Sequence, residues 1–363
     1  MTTAPPQHQH PPHPAGTESA SAITRFAECF GALADNIERV FLGKRDLVEL
    51  ALTALFAEGH LLVVDVPGTG KTTLARALAA SLAADCKRIQ FTPDLLPSDI
   101  TGVSVYRQGT GTFEFLPGPV FGHVVIGDEI NRASPKTQSA LLEVMEEGRV
   151  TVDGHTHPVP RPFMVFATQN PIEMAGTYPL PEAQLDRFLM CVSVGYPDHR
   201  AEMTVAGGPV DGRLNGPVNG LVEGSVDGSV DGSVDIGADD LPTIATAAQV
   251  REFARVVRER VRVAEPVLDY AVRVVAATRE LPSVRLGAGP RGSVALVRAI
   301  RVRAAAQGRD YALAEDVKAL AQPVLAHRLL PAPETELAGV RPADLVAEVL
   351  ARVEAPRPGA VAS

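Results

Sequence analysis

One stretch limits what this chain can fold into more than any other: Val66-Pro67-Gly68-Thr69-Gly70-Lys71-Thr72-Thr73. It follows the apolar run Leu61–Val64 and precedes the helix-forming segment Leu74–Leu82. Strand, glycine loop and helix in that order make a cradle for phosphates. Backbone N–H groups can point inward where Gly68 and Gly70 carry no side chain, and the helix adds its positive N-terminus. In such a loop Lys71 reaches the β- and γ-phosphates, and the Thr72 hydroxyl ligates Mg²⁺. The general pattern has glycine where this chain has Asp65. Aspartate tolerates left-handed and turn conformations better than most residues, so the loop is still expected to form.

Strand-like runs recur at Arg88–Thr92, His123–Gly127 and Phe163–Thr168, separated by helical or turn-rich segments. That alternation predicts an α/β fold with a parallel sheet covered on both faces. Upstream, Ile23, Phe26, Phe30, Leu33, Ile37 and Val40 follow helical spacing, and Leu47–Phe56 predicts a second helix. Residues 1–22 hold five prolines with His8, His10 and His13, and read as a disordered tail rather than a metal site. From Gly208 to Gly232 a glycine falls at every fourth position, with one Val or Leu per unit. So little apolar surface cannot offset the ordering of so many glycines, so residues 198–243 read as a flexible insertion or linker. Five helices are then expected, at Val250–Val261, Pro266–Glu280, Ser293–Ala306, Ala314–His327 and Ala343–Val353, with no strand signal between them. They make 244–355 an all-helical domain, and 356–363 a frayed tail.

Two further strand ends carry chemistry. Val124-Val125-Ile126-Gly127 runs into Asp128-Glu129, and two carboxylates at the end of an apolar strand are costly unless something binds them. Asp128 suits the Mg²⁺ side of a phosphate chain, and Glu129 suits a group that polarises water for attack on the γ-phosphate. Ala167-Thr168-Gln169-Asn170-Pro171 brings an amide to a third strand end, where Asn170 could hold the water or sense the γ-phosphate. Arg187 and Arg291 are single arginines beside expected helix ends, and alone each reads as a surface or ion-pair residue.

Composition excludes several classes. The 363 residues allow two domains and tails. With 34 Lys and Arg against 43 Asp and Glu, the charge of −9 argues against a dedicated nucleic-acid binder. No apolar run approaches the roughly 18 residues of a membrane helix, since Glu58, His60 and Asp65 interrupt Ala51–Val66. Met1–Gly16 lacks the basic and apolar regions of a secretory signal. Cys29, Cys86 and Cys191 are odd in number and far apart, and read as reduced thiols of a cytoplasmic protein.

Together these motifs resemble the AAA+ ATPases, and more narrowly the MoxR family. The blocks Asp128-Glu129-Ile130-Asn131-Arg132-Ala133-Ser134-Pro135-Lys136-Thr137-Gln138 and Gly176–Phe188 are close matches to that family. The resemblance implies a P-loop AAA+ core over 23–197 followed by an all-α lid domain over 244–355, with ATP and Mg²⁺ as cofactors. It implies that Val66, Pro67, Gly68, Thr69, Gly70, Lys71, Thr72, Thr73 and Asp128 bind nucleotide, and that Thr72 and Asp128 ligate the metal. Glu129 becomes the catalytic glutamate, Asn170 sensor 1, Arg187 the arginine finger and Arg291 sensor 2, while Arg132 lies near enough to act on a neighbour's nucleotide. Asp94–Leu116 corresponds to a helix-2 insertion, and Gly148–Phe163, turning at Asp153-Gly154, to a hairpin before sensor 1. The glycine repeat over 208–235 departs from the family, where a shorter polar linker is expected.

The family further implies a homo-oligomeric ring, of six, that remodels protein clients, von Willebrand factor A domain proteins among them. Three other readings stay open at this point: an ATPase subunit of a metal chelatase, a nucleotide-gated regulatory module with little turnover, and a ring translocating on DNA, which the −9 charge weakens.

Overall fold

The computed structural model describes residues 15–65, 69–171, 176–195 and 241–357. The histidine-rich start of the expected tail, the glycine repeat and the last six residues lie outside them. At the centre is a five-stranded parallel sheet built from β1 (Leu61–Val64), β2 (Cys86–Gln90), β5 (Val124–Asp128), β8 (Met164–Gln169) and β9 (Met190–Val192), in the order β2-β5-β8-β1-β9. The inner strands β1, β5 and β8 are buried almost throughout because both faces are covered, whereas edge strand β2, Cys-Lys-Arg-Ile-Gln, buries only Ile89. Alternation along each strand sorts the side chains into two cores. Leu61, Val63, Val124, Ile126, Met164 and Phe166 face one way, and Leu62, Ile89, Val125, Val165 and Ala167 the other.

On the first face pack α1 (Ala15–Glu38), α2 (Arg45–Phe56) and α3 (Lys71–Ser81). α1 begins well before the tail boundary expected at residue 22, because the apolar periodicity that sets that boundary starts only at Ile23. The second face takes α5 (Pro135–Glu147) through Leu141, Leu142, Val144 and Met145. Ser134 caps this helix by accepting the Thr137 N–H, and Pro135 occupies its first turn. Before β5, α4 (Pro97–Thr101) leads into the antiparallel hairpin β3 (Gly102–Arg107) and β4 (Thr112–Pro117). After α5 comes the hairpin β6 (Arg149–Val152) and β7 (His155–Pro158), turning on Asp153 and Gly154 with φ of 49° and 79°. The second hairpin lies within the segment where the family resemblance implies one, and the first lies at the expected helix-2 insertion, one residue beyond its bound at Leu116. α6 (Glu182–Leu185) precedes β9, a three-residue strand too short to announce itself in the sequence.

The lid consists of α7 (Ala247–Arg260), α8 (Glu265–Ala277), α9 (Pro290–Ala306), α10 (Ala314–Leu325), α11 (Pro333–Leu337) and α12 (Pro342–Arg352). It adds one small antiparallel ribbon that the sequence does not signal, β10 (Val284–Leu286) with β11 (Leu330–Pro331). The apolar core of the first sheet face continues without a break into these helices. Arg328 anchors the joint. Its buried guanidinium meets Asp186 Oδ1 at 2.8 Å and donates to the carbonyls of Phe188 and Val324.

Candidate functional site

β1, β5 and β8 run parallel, so their C-terminal ends reach the same edge of the sheet, Val64 beside Gln169 and Gly127 beside Ala167. Beyond β1, the loop meets α3 through Gly70, whose φ of +82° favours glycine. Gly70 also packs closely: a Cβ there would stand 3.3 Å from the Phe41 ring. Lys71 opens the helix, and Nζ lies 3.5 Å from the Asp65 carbonyl and 3.4 Å from Thr69 Oγ1, across the loop mouth. No acidic residue stands in the first turn of α3, so nothing there offsets the positive helix terminus. Val66, Pro67 and Gly68 lie outside the described residues.

Asp65 differs from its sequence expectation. Its φ is not among the positive values of the described residues, so left-handed freedom is not why aspartate is accommodated. Its N–H extends the sheet by donating to Gln169 O at 3.1 Å. The buried carboxylate accepts from Ser193 Oγ at 3.2 Å and from the Gly195 N–H, tying the loop start to the segment after β9.

The two carboxylates at the end of β5 are held separately. Asp128, nearly buried, pairs through Oδ2 with Arg88 Nε of β2 at 2.7 Å, and its Oδ1 accepts from Thr168 Oγ1 at 3.4 Å. Glu129 sits in left-handed backbone, φ 56°, an uncommon conformation for a residue with a long side chain. Its N–H donates to Thr168 Oγ1 at 3.0 Å, which fixes the β5 end to β8. Its Oε2 accepts from Gln90 at 3.0 Å and meets Arg132 at 3.2 Å. Asn170 is buried just beyond β8, and its carbonyl accepts from Asn131 Nδ2 at 3.3 Å. Lys71, Thr72, Asp128, Glu129 and Asn170 thus share one edge. Thr72 and Arg88 also line a cavity of about 380 Å³ with Arg76, Ala80, Cys86 and Ile126, which the other four do not border. A cation and a triphosphate fit this donor set: a shielded carboxylate already takes a positive charge, and the same sheet edge carries a lysine and a helix N-terminus with no acid in its first turn.

Arg187 and Arg291 stand elsewhere. Leu189 N donates to His60 O, so the segment before β9 meets the residue before β1, at the N-terminal edge of the sheet. There Arg187, Arg291, Glu146, Arg298 and His60 line a second cavity of about 430 Å³. Arg187 bonds Glu146 Oε2 through Nε at 2.9 Å and Nη2 at 2.8 Å, while Arg291 Nη2 bonds Glu146 Oε1. The length of β1 alone separates the two edges by about 13 Å, at about 3.3 Å per residue. His60 is buried, accepting from the Val165 N–H at 3.0 Å and lying 3.1 Å from Met145 O, and burial pushes its pKa down to about 4. Sequence reasoning did not single out Glu146, Arg88, Thr168 or Arg328. No local pattern marks a charged helix residue whose partners come from distant segments.

Residues 60–190 match the ATPase family associated with various cellular activities (AAA), and residues 276–349 match the AAA lid domain. The uncharacterized Bacillus subtilis (strain 168) protein YeaC is 46% identical over 90% of this chain and 94% of its own. Chaperone MoxR1 of Mycobacterium tuberculosis is 36% identical over 99% of this chain and 89% of its own. The crystal structure of a candidate ATPase from Cytophaga hutchinsonii superimposes with a TM-score of 0.81 at 32% identity, covering 94% of this chain and 99% of that one. With the phosphate-loop edge, the helical lid and these relatives in agreement, the chain belongs to the MoxR family of AAA+ ATPases.

Proposed function

We propose that the protein is a Mg²⁺-dependent ATPase working as a closed ring, in which each nucleotide is held by one subunit and completed by the next. Lys71 and the N-terminus of α3 hold the phosphates, with Thr72 and Asp128 on the metal. Bound Mg²⁺ supplies charge neutralisation at the β- and γ-phosphate oxygens. Glu129 orients and deprotonates the attacking water, which requires its carboxylate to leave Gln90 and Arg132. Asn170 reads the γ-phosphate from the adjoining strand.

The observation that carries this reading is the separation of the two halves of the machinery. Arg187 and Arg291 are paired on one carboxylate at the far edge of the sheet from Lys71 and Asp128. That separation supports a role on another subunit's nucleotide, to which a head-to-tail contact would carry them. Such contacts close into rings, for which we propose six subunits.

The work of the ring we take to be remodelling of protein clients, in keeping with the chaperone name of the Mycobacterium tuberculosis relative. A von Willebrand factor A domain partner is the client class we favour, and the cytoplasm the compartment, given that Cys29, Cys86 and Cys191 are free. Among the described residues no helix is long and apolar enough to cross a membrane.

The test is subunit mixing. Glu129→Gln and Arg187→Ala are each expected to be nearly inactive, since an arginine finger contributes about 10³–10⁵ in rate. Mixed after disassembly, they should regain turnover wherever an intact Glu129 borders an intact Arg187. An Arg187→Ala variant with wild-type turnover would end the assignment. Stimulation by a von Willebrand factor A domain, and not by porphyrin with metal or by DNA, separates the client classes.

A further inference from the structure

The two arginines at the N-terminal edge come from different parts of the chain. Arg187 lies just before β9, and Arg291 in the first turn of the lid helix α9. The group that joins them is Glu146, in the last turn of α5. Its Oε2 takes Arg187 along one edge of the guanidinium, through Nε and Nη2, and its Oε1 takes Nη2 of Arg291. A guanidinium carries five N–H donors in a rigid fork, so an edge-on partner leaves donors in hand for another acceptor.

Glu146 itself is well anchored. The preceding carbonyl, that of Met145, faces His60 Nε2 at 3.1 Å, and His60 Nδ1 accepts from Val165 in β8. The last turn of α5 is thereby fixed to the sheet, and the carboxylate projects from a rigid base. Asp186 backs the arrangement, bonding Arg328 at 2.8 Å and lying 4.0 Å from Arg291 Nη1. Around the cavity Arg187, Arg291, Arg298 and Arg328 outnumber Glu58, Glu146 and Asp186, so its lining stays net positive. The Arg187 hydrogen bond, with the charge of both arginines, holds the Glu146 carboxyl below the usual range, so it stays ionised.

We infer that Glu146 is a positioning residue: it holds Arg187 and Arg291 as one preformed pair, so that core and lid present their charges together to the γ-phosphate of a neighbouring subunit. This rests on the reading of Arg187 and Arg291 as groups acting on that neighbour. The rotamer freedom of two long side chains is then given up before the nucleotide arrives, and less is lost at the transition state.

The experiment measures kcat, KM and nucleotide affinity for Glu146→Gln, Arg291→Ala and the double variant in the full-length ring, with Arg187→Ala as reference. Glu146→Gln should lower kcat about tenfold or more while its own site keeps nucleotide affinity within about twofold. Glu146→Gln combined with Arg291→Ala should cost less than the product of the two single losses, because both act through one pair. Mixed with Glu129→Gln subunits, Glu146→Gln subunits should regain turnover, as their own sites then border intact pairs. A wild-type or raised kcat for Glu146→Gln, fully multiplicative losses, or no recovery where Arg187→Ala recovers would each overturn the inference. Wild-type turnover in Arg187→Ala would instead overturn the underlying reading of the arginines, whatever Glu146→Gln does.

Discussion

The carboxylate of Asp128 is bonded to the guanidinium of Arg88, 2.7 Å away on the adjacent strand β2. Asp128 is almost completely shielded, while Arg88 is 55% exposed and can swing outward. A shielded carboxylate without a cation is unfavourable. Arg88 therefore supplies the positive charge at the carboxylate proposed for Mg²⁺, and a bound Mg²⁺ would compete with it for Oδ2.

Replacing Arg88 with glutamine should lower the stability of the nucleotide-free protein by about 1 kcal/mol, modest because the arginine is largely solvated. The same variant should bind nucleotide at lower Mg²⁺ concentration than wild type. Urea denaturation and a Mg²⁺ titration of fluorescent nucleotide binding check the two halves. Unchanged stability would mean that solvent alone suffices for Asp128.

Lys71→Ala should reduce ATP affinity by about a hundredfold or more, since the charge-assisted contact of the loop lysine with the phosphates is lost. Calorimetric titration reads this directly, with circular dichroism as the check that the fold persists.

Asp65→Gly would restore the glycine of the general phosphate-loop pattern, yet it should destabilise the chain by about 1–3 kcal/mol. The Ser193 hydroxyl and the Gly195 N–H would lose the acceptor that anchors them. The denaturant midpoint should fall with no change in slope. An unaltered midpoint would show that those donors find water instead.

Acid should weaken the fold ahead of general carboxylate protonation. His60, with a folded pKa of about 4 against an ordinary 6.5, stays neutral in the folded protein where the unfolded chain takes up a proton. His327 is shifted in the same direction, by burial and then by the charge of Arg328. Since the unfolded state binds more protons, stability falls as pH drops from 6.5 towards 4, by up to about 1.4 kcal/mol per unit for each histidine. Denaturation curves between pH 4.5 and 7.5 measure the slope, and His60→Gln should make it shallower.

The contrast between Asp65 and Gly70 shows how much of this site was legible in the sequence. The phosphate-loop pattern, the acidic end of β5 and the Asn170 strand end are local signals, and the parallel registers bring them to one edge. The reason Asp65 is accommodated was not local, because its partners Ser193 and Gly195 follow a strand far along the chain. β9 has three residues, and β11 two, too few for alternation to register. Glu146 reads as one more acid on an amphipathic helix until Arg187 and Arg291 are seen to converge on it. The buried helices and the inner strands were legible from periodicity and apolar runs, whereas the ion pairs followed from topology.

α5 has 13 residues, which at about 1.5 Å each makes a rod about 20 Å long. One end is joined to Glu129 through the single turn Ile130–Arg132 and the cap Ser134, and the other carries Glu146. A rod of packed helix does not absorb displacement along its axis, so a shift at its start is delivered to its end. In a ring of identical subunits, each copy would pass word of its own nucleotide to one neighbour and receive it from the other. The order of firing would then have a sense of travel, clockwise or anticlockwise, set by the direction in which this one helix runs.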